Sequence, residues 1–247
     1  MDHSSLHPIP NEPALLAEDT SILVIADLHI GIEQTLQEQG IHTASQTDLL
    51  TKRVLALCKI YKPKELVLLG DIKHAIPSTT VQERRDVKAF FQAIQNYSTI
   101  HLIPGNHDGN IRWLTPDSIT VHPSDGVCID GIGFAHGHRW PNKKIMECTH
   151  LVCAHTHPTI MFTDRLGHKT FEPCWLKAHT LADKRQEKYP DSWDVEVLVM
   201  PAFNPLCGGL AANTEGMMGP LGNIIDIKNA QVYLLDGSAL GKARDIV

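Results

Sequence analysis

A chain of 247 residues with 43% hydrophobic content is long enough to bury a full core, and one domain spanning 1–247 is the default reading. A formal net charge of −6 gives no overall attraction for nucleic acid, which leaves only a local basic groove for that role. The apolar runs fall far short of the ~20 residues that a membrane-spanning helix needs, and the first ten residues lack a basic start followed by an apolar stretch, so no secretory leader is expected and the cytoplasm is the expected compartment.

In chain order, the first half alternates buried strands with amphipathic helices, the order that builds a βαβ sheet. Residues 21–26 read as a strand. A helix follows over 47–60, with Leu49, Leu50, Val54, Leu57 and Cys58 at helical spacing, and the turn at Lys62 and Pro63 ends it. The strand 65–69 comes next, then a helix over 80–96 with Val81, Val87, Phe90, Phe91 and Ile94 on one face, then the strand 99–103. Each strand stops at a polar or glycine-containing loop, at 27–31, 70–74 and 104–110. Three such loops at the C-terminal ends of parallel strands mark the edge of an open sheet where ligands bind. Past residue 118 the strands shorten, at 119–122, 126–129, 133–135, 151–153 and 159–163, and a second sheet is implied. Residues 181–194 read as an exposed loop or short helix, with Lys184, Arg185 and Lys188 as a solvated face. A strand at 195–200, a long ordered loop at 205–222 and a last strand at 229–235 complete the chain.

Fifteen histidines are the unusual feature, because neutral imidazole is the commonest protein ligand for transition metals. The six cysteines form no CxxC pair and read as reduced and mostly buried. Five segments cluster Asp, Asn or His just after apolar strands: Asp27 and His29, Asp71, Asn106 with His107 and Asp108, His136 with His138, and His155 with His157. A pair of divalent ions needs hard oxygens together with borderline imidazole nitrogens on short rigid turns, and this donor set suits Mn, Fe, Zn or Co better than Mg or Ca. Residues two apart on an extended chain point the same way, so Asp27 and His29 can share a cavity, as can His155 and His157. Two ions about 3.5–4 Å apart would clamp a phosphate and activate a water between them.

The order D-x-H, G-D, G-N-H-D, H, H-x-H resembles the signature of the calcineurin-like metallophosphoesterase superfamily and spans Asp27 to His157. The text around Ala26-Asp27-Leu28-His29, around Gly70-Asp71-Ile72-Lys73-His74, and at Pro201-Ala202-Phe203-Asn204-Pro205 is similar to its Mre11/SbcD-related, ICC-like branch, which includes the DNA-ligase-associated phosphoesterases. The resemblance implies an α/β fold, a four-layer α/β/β/α sandwich of two mixed sheets flanked by helices. It implies one ion held by Asp27, His29, Asp71 and His157, and another by Asp71, Asn106, His136 and His155, with Mn²⁺ the expected metal and Fe, Zn, Co or Ni as alternatives. His107 would stand beside the scissile phosphate, oriented by Asp108.

Two positions depart from the family pattern. Lys73 and His74 follow Asp71 where an acidic residue is usual, and both readings stand for them, a solvated loop or a contact to substrate phosphate. Ala154 replaces the usual glycine. His138 is the second choice to His136 as a ligand and is otherwise a substrate-facing group; Arg139 is either an exposed arginine or a phosphate fork; Asn204 lies in the branch-specific patch. The branch resemblance implies a phosphodiester substrate, with DNA a candidate, DNA ligase or helicase as candidate partners, and an oligomer left open. The alternatives are a nucleotide phosphatase or cyclic-nucleotide phosphodiesterase and, in another class, a non-catalytic metal-binding scaffold. Such scaffolds usually lose a ligand or the catalytic histidine, and here the set is complete.

Overall fold

The computed structural model describes residues 6–246; residues 1–5 and 247, part of the expected domain, lie outside the described residues. Two short strands, β1 (Leu6–Pro8) and β2 (Ala14–Ala17), run antiparallel into β3 (Ile22–Ile25), which pairs in parallel with β4 (Glu65–Leu69). β5 (Thr99–Ile103) and β6 (Ile119–Val121) continue the parallel half of this six-stranded sheet. The two-residue period of an extended chain splits β3 between two cores. Ile22 and Val24 face the second sheet, whereas Leu23 and Ile25 face helices. Burial on both faces is why this strand reads as one unbroken apolar run.

The helices on that outer face are α2 (Thr47–Tyr61) and α3 (Val81–Ile94), preceded by a short, seven-residue α1 (Ile32–Glu38). Leu50, Val54 and Leu57 of α2 pack with Val87, Phe90 and Phe91 of α3 against Leu66 and Leu68. At the start of α3 the Thr80 hydroxyl accepts from the Glu83 N–H, and the Glu83 carboxylate accepts from the Thr80 N–H, a closed capping box.

The second sheet holds β7 (Val127–Ile129), β8 (Ile132–Ala135), β9 (His150–Cys153), β10 (Thr159–Thr163), β11 (Lys169–His179), β12 (Glu196–Val199), β13 (Gln231–Leu234) and β14 (Ala239–Lys242). Its order is β14-β13-β11-β12-β9-β8-β7, with β10 paired to β11. β8, β9 and β12 run parallel to one another, and the other pairings are antiparallel. Leu69 and Ile103 of the first sheet meet Phe134, Val152 and Trp175 of the second in the inter-sheet core.

The expected two-sheet sandwich is therefore the fold, with differences of detail. The outermost layer on the second sheet is mostly irregular: short α4 (Ala182–Lys188), 3₁₀ turns and the loop ending near Leu221 supply its core contacts. Arg185, expected on a solvated face, is buried and donates to the Thr180 hydroxyl at 2.7 Å. β13 is not the last strand, since β14 pairs with it. Among the described residues, no helix is long and apolar enough to cross a membrane.

Candidate metal centre

Three loops leave the C-terminal ends of β3, β4 and β5, and two leave β8 and β9. They meet. Asp27, His29, Asp71, His155 and His157 all take left-handed backbone angles, with φ between 41° and 72°. A non-glycine residue held there costs about 1–3 kcal/mol, and such strain is kept where surrounding structure fixes it for a purpose. Close packing of the loops needs glycine at two points. A Cβ on Gly70 would lie 2.3 Å from His136 Nδ1, and one on Gly105 would lie 2.1 Å from Asp71 Oδ1.

Donor atoms face a common space more than they face one another. His29 Nε2 lies 3.5 Å from Asp71 Oδ2 and 3.4 Å from His157 Nε2; His136 Nε2 lies 3.4 Å from the same Asp71 oxygen; His157 Nε2 lies 3.2 Å from Asp27 Oδ1. Asp27 Oδ1 and His136 Nε2 are nonetheless buried without a hydrogen-bond partner. Buried polar atoms are rarely left this way, because the desolvation cost of about 1–3 kcal/mol is not recovered. A cation beside each would recover it. Two donor groups result, Asp27 with His29 and Asp71, and Asp71 with His136 and His155, and Asp71 belongs to both as a bridging carboxylate must. The residues thus fit a pair of divalent ions.

The outer nitrogens of the ligands are fixed by carbonyls. His136 Nδ1 donates to the Leu69 carbonyl at 2.9 Å and His157 Nδ1 to the Gly208 carbonyl at 2.9 Å, which leaves both Nε2 atoms for an ion. His29 Nδ1 shares a 3.1 Å ring-to-ring hydrogen bond with His74 Nδ1. Charge follows this arrangement. Burial acts to raise Asp71, but the nearby charges of His136 and His29 hold its carboxyl below the usual range. Burial acts to lower His136, yet Asp71 and Asp27 push it up to about 9. Burial brings His29 down to about 3 and, with the charge of His136, brings His155 and His138 down to about 4, so these three are neutral and ready as ligands or hydrogen-bond groups.

A cavity of about 370 Å³ opens over the centre, lined by His29, Asp71, Asn106, His107, His155 and His157 among others. Asn106 is exposed to it. His107 Nδ1 donates to the His74 carbonyl, so Nε2 is the nitrogen left for a substrate. Asp108 does not take the orienting role expected of it. Its carboxylate accepts from the backbone N–H groups of Ile72 at 2.9 Å, Lys73 at 3.3 Å and Gly105 at 2.9 Å, tying two ligand loops together. Burial and the nearby Asp71 push Asp108 up to about 6.

None of the five residues offered as substrate contacts lines this cavity. Lys73 is fully buried with its ammonium on the Ala75 carbonyl, neither a solvated loop residue nor a phosphate contact. Asn204 is buried, donates to the Leu28 carbonyl at 2.8 Å and accepts from the Leu206 N–H at 3.0 Å, so it clamps the Asp27 loop. His74 stacks on His107 with ring centroids 5.3 Å apart, and Glu83 holds its loop by accepting from the N–H groups of His74 and Ala75 at 3.0 and 2.5 Å. His138 packs 5.3 Å from the His136 ring, and Arg139 is exposed. Sequence reasoning passed over Cys207, whose sulfur, with nitrogens of His29 and His157, forms a further donor group. Its position in the loop that carries Asn204 was the available signal.

A two-sheet α/β sandwich with a carboxylate–histidine centre at parallel strand ends defines a metal-dependent hydrolase. The model of the calcineurin-like phosphoesterase family matches residues 20–201, and the chain belongs to that family, whose members act on phosphoesters. Among solved structures, nuclease MPE from Pseudomonas putida is similar at 18% identity and a TM-score of 0.58, over 97% of this chain and 100% of that one. The phosphoesterase YfcE from E. coli is similar at 15% identity and a TM-score of 0.39, over 90% of this chain and 97% of that one. No curated protein matches.

Proposed function

We propose that this chain hydrolyses phosphodiester bonds, with a nucleic-acid strand as substrate and DNA as the first candidate. The observation that carries the reading is the pair of buried donor atoms without a hydrogen-bond partner, Asp27 Oδ1 and His136 Nε2, set around Asp71 beneath a cavity that His107 lines. Divalent ions bound there supply Lewis acidity and a water of lowered pKa. Asp71 lies between the two donor groups and fixes their spacing. His107, anchored through Nδ1, presents Nε2 to the leaving oxygen as proton donor. Asn106 offers its amide to the same phosphate. Manganese is the metal proposed for the assay, since carboxylate, amide and imidazole donors accept it.

A neighbouring furrow of about 330 Å³ favours a polymeric diester. Arg84 and Lys88 sit one turn apart on α3, and Trp113, 81% exposed, forms the facing wall. Cations beside an exposed indole suit a strand whose phosphates and bases must both be held. The walls are continuous with the loops of His74 and of His107, since Pro77 and Asn110 both line the furrow. The fold likeness to a nuclease agrees with this reading, and a cytoplasmic setting with DNA ligase or helicase as partner is part of the proposal. A nucleotide phosphatase is the second reading, favoured by the net charge of −6.

The test is turnover of bis-p-nitrophenyl phosphate against p-nitrophenyl phosphate with manganese, followed by cleavage of a single-stranded oligonucleotide. Metal-dependent diester and oligonucleotide cleavage is expected. Preference for the monoester would replace the reading with the phosphatase, and no turnover with two ions bound would leave only a scaffold.

A further inference from the structure

The loop after β12 brings one soft donor to a centre otherwise made of oxygen and nitrogen. Its path is pinned at several points. Arg53 donates to the Phe203 carbonyl at 3.1 Å, the Asn204 N–H reaches the Asp27 carbonyl at 3.3 Å, and the Cys207 N–H donates to the Asn204 carbonyl at 3.1 Å. On the far side the Gly208 carbonyl accepts from His157, and Gly209 fits so closely that a Cβ there would lie 1.9 Å from the His157 carbonyl. Cys207 is held between these anchors, with Sγ 3.9 Å from the Asp27 carbonyl.

Its sulfur and one ring nitrogen each of His29 and His157 lie within 4.8 Å of one another. In a tetrahedral site, metal–sulfur and metal–nitrogen bonds of about 2.3 and 2.0–2.1 Å set sulfur and nitrogen about 3.6 Å apart, so the Cys207 loop closes by at most about 1.2 Å for one ion to touch all three. Asp27 Oδ1, buried without a hydrogen-bond partner, lies 3.2 Å from His157 Nε2. We propose that Cys207 is a thiolate ligand of the first cation, joining His29, His157 and Asp27, so that the two cation positions differ in kind. On binding, the thiol proton leaves to solvent and a metal–sulfur bond forms. The first position then selects ions that accept sulfur and imidazole together, such as Zn²⁺, Co²⁺ or Fe²⁺, while the second, with Asp71, Asn106, His136 and His155, keeps manganese. This rests on the two-metal reading above and sharpens it.

Cobalt(II) titration of the metal-free full chain separates the two claims. Visible ligand-field bands report that ions bind at all, and a near-ultraviolet thiolate-to-cobalt charge-transfer band reports sulfur. We expect both in the wild type, the second lost in Cys207→Ser and kept in Cys128→Ser, whose thiol is exposed elsewhere. Zinc affinity should fall at least ~10-fold in Cys207→Ser. Should that variant fail to fold, X-ray absorption of the zinc-loaded wild type gives an independent answer, a sulfur scatterer at about 2.3 Å. Ligand-field bands without a sulfur band, or a zinc shell of oxygen and nitrogen alone, overturn the Cys207 assignment and leave the metal centre standing. No cobalt binding overturns the two-metal reading itself.

Discussion

In the first sheet, β3, β4 and β5 run parallel, and each ends in a loop that carries donors; β1 and β2, antiparallel at its margin, carry none. The second sheet repeats the division. Parallel β8, β9 and β12 end at His136, at His155 and His157, and at the Cys207 loop, whereas β10, β11, β13 and β14 end elsewhere. The reason is geometric: parallel strands bring successive loops to one edge, and antiparallel strands send alternate loops to opposite edges. Two such edges, facing each other across the inter-sheet core, enclose a centre that neither sheet completes. Asp71 from one sheet and His136 from the other, 3.4 Å apart, are where the halves join.

The largest break in this division should come from Asp71→Asn, which removes the charge shared by both donor groups. We expect kcat to fall about 10³-fold or more, on the order of 4 kcal/mol, and metal content measured by plasma mass spectrometry to drop below two ions per chain. Retention of both ions with full activity would show that Asp71 does not bridge. His107→Ala tests the loop after β5 without touching a donor group of the two bridged positions. A loss of about 10²–10⁴-fold in kcat with metal content retained is expected from removing a proton donor.

The join between the sheets also sets a pH dependence. His136, raised to about 9, is cationic in the metal-free protein at neutral pH. Its interaction with Asp71 therefore stabilises the metal-free fold fully below about pH 6.5, and that contribution is lost as pH rises through about 9. An ion needs the neutral ring and must displace this proton. Affinity at the second position should then rise about tenfold per pH unit between pH 7 and 8 and level off above about 9, with close to one proton released in calorimetry. A flat profile would mean that His136 is already neutral.

Much of this centre was legible in the sequence because metal ligands come from few residue types and must sit on short turns after buried strands. Asp27, His29, Asp71, His136, His155 and His157 satisfy both conditions. What escaped reading depends on contacts between distant segments. The partner of His107 is a backbone carbonyl at His74, which no side-chain pattern encodes. Lys73 was open between a solvated loop and a substrate contact because a buried lysine is rare, yet it lies on a bridge between Ile30 and the second ligand loop. β1 and β2 are too short to display a period and are broken by Pro8, Pro10 and Pro13, and α1 is a seven-residue helix without a side-chain cap. β11 was hidden because its first half is exposed and pairs only with β10, while its second half joins β12 and β13.

Asn204→Ala asks how far the loop after β12 depends on one buried amide. Removing it leaves the Leu28 carbonyl and the Leu206 N–H without their partner, at a cost of about 1–3 kcal/mol. Denaturant unfolding should report that loss, and metal affinity should weaken about tenfold because the amide holds the Asp27 loop rather than an ion. Unchanged stability would return Asn204 to the substrate contacts.

The smallest effect belongs to the antiparallel margin. Lys177 of β11 pairs with Glu196 at 2.9 Å, with side chains 46% and 26% exposed. An ion pair so open to water contributes about 0–1 kcal/mol, since solvent screens the attraction and ordering two side chains costs entropy. In Lys177→Ala, Glu196 keeps a second neighbour in His150 Nε2 at 3.5 Å, so no charge is stranded. Stability should change by less than about 1 kcal/mol, and diester turnover should stay within about twofold, the range left to a surface substitution remote from a site. A large loss of activity there would mean that the margin reaches the centre after all, through the shared strand β12, and the separation between parallel edge and antiparallel flank would not hold.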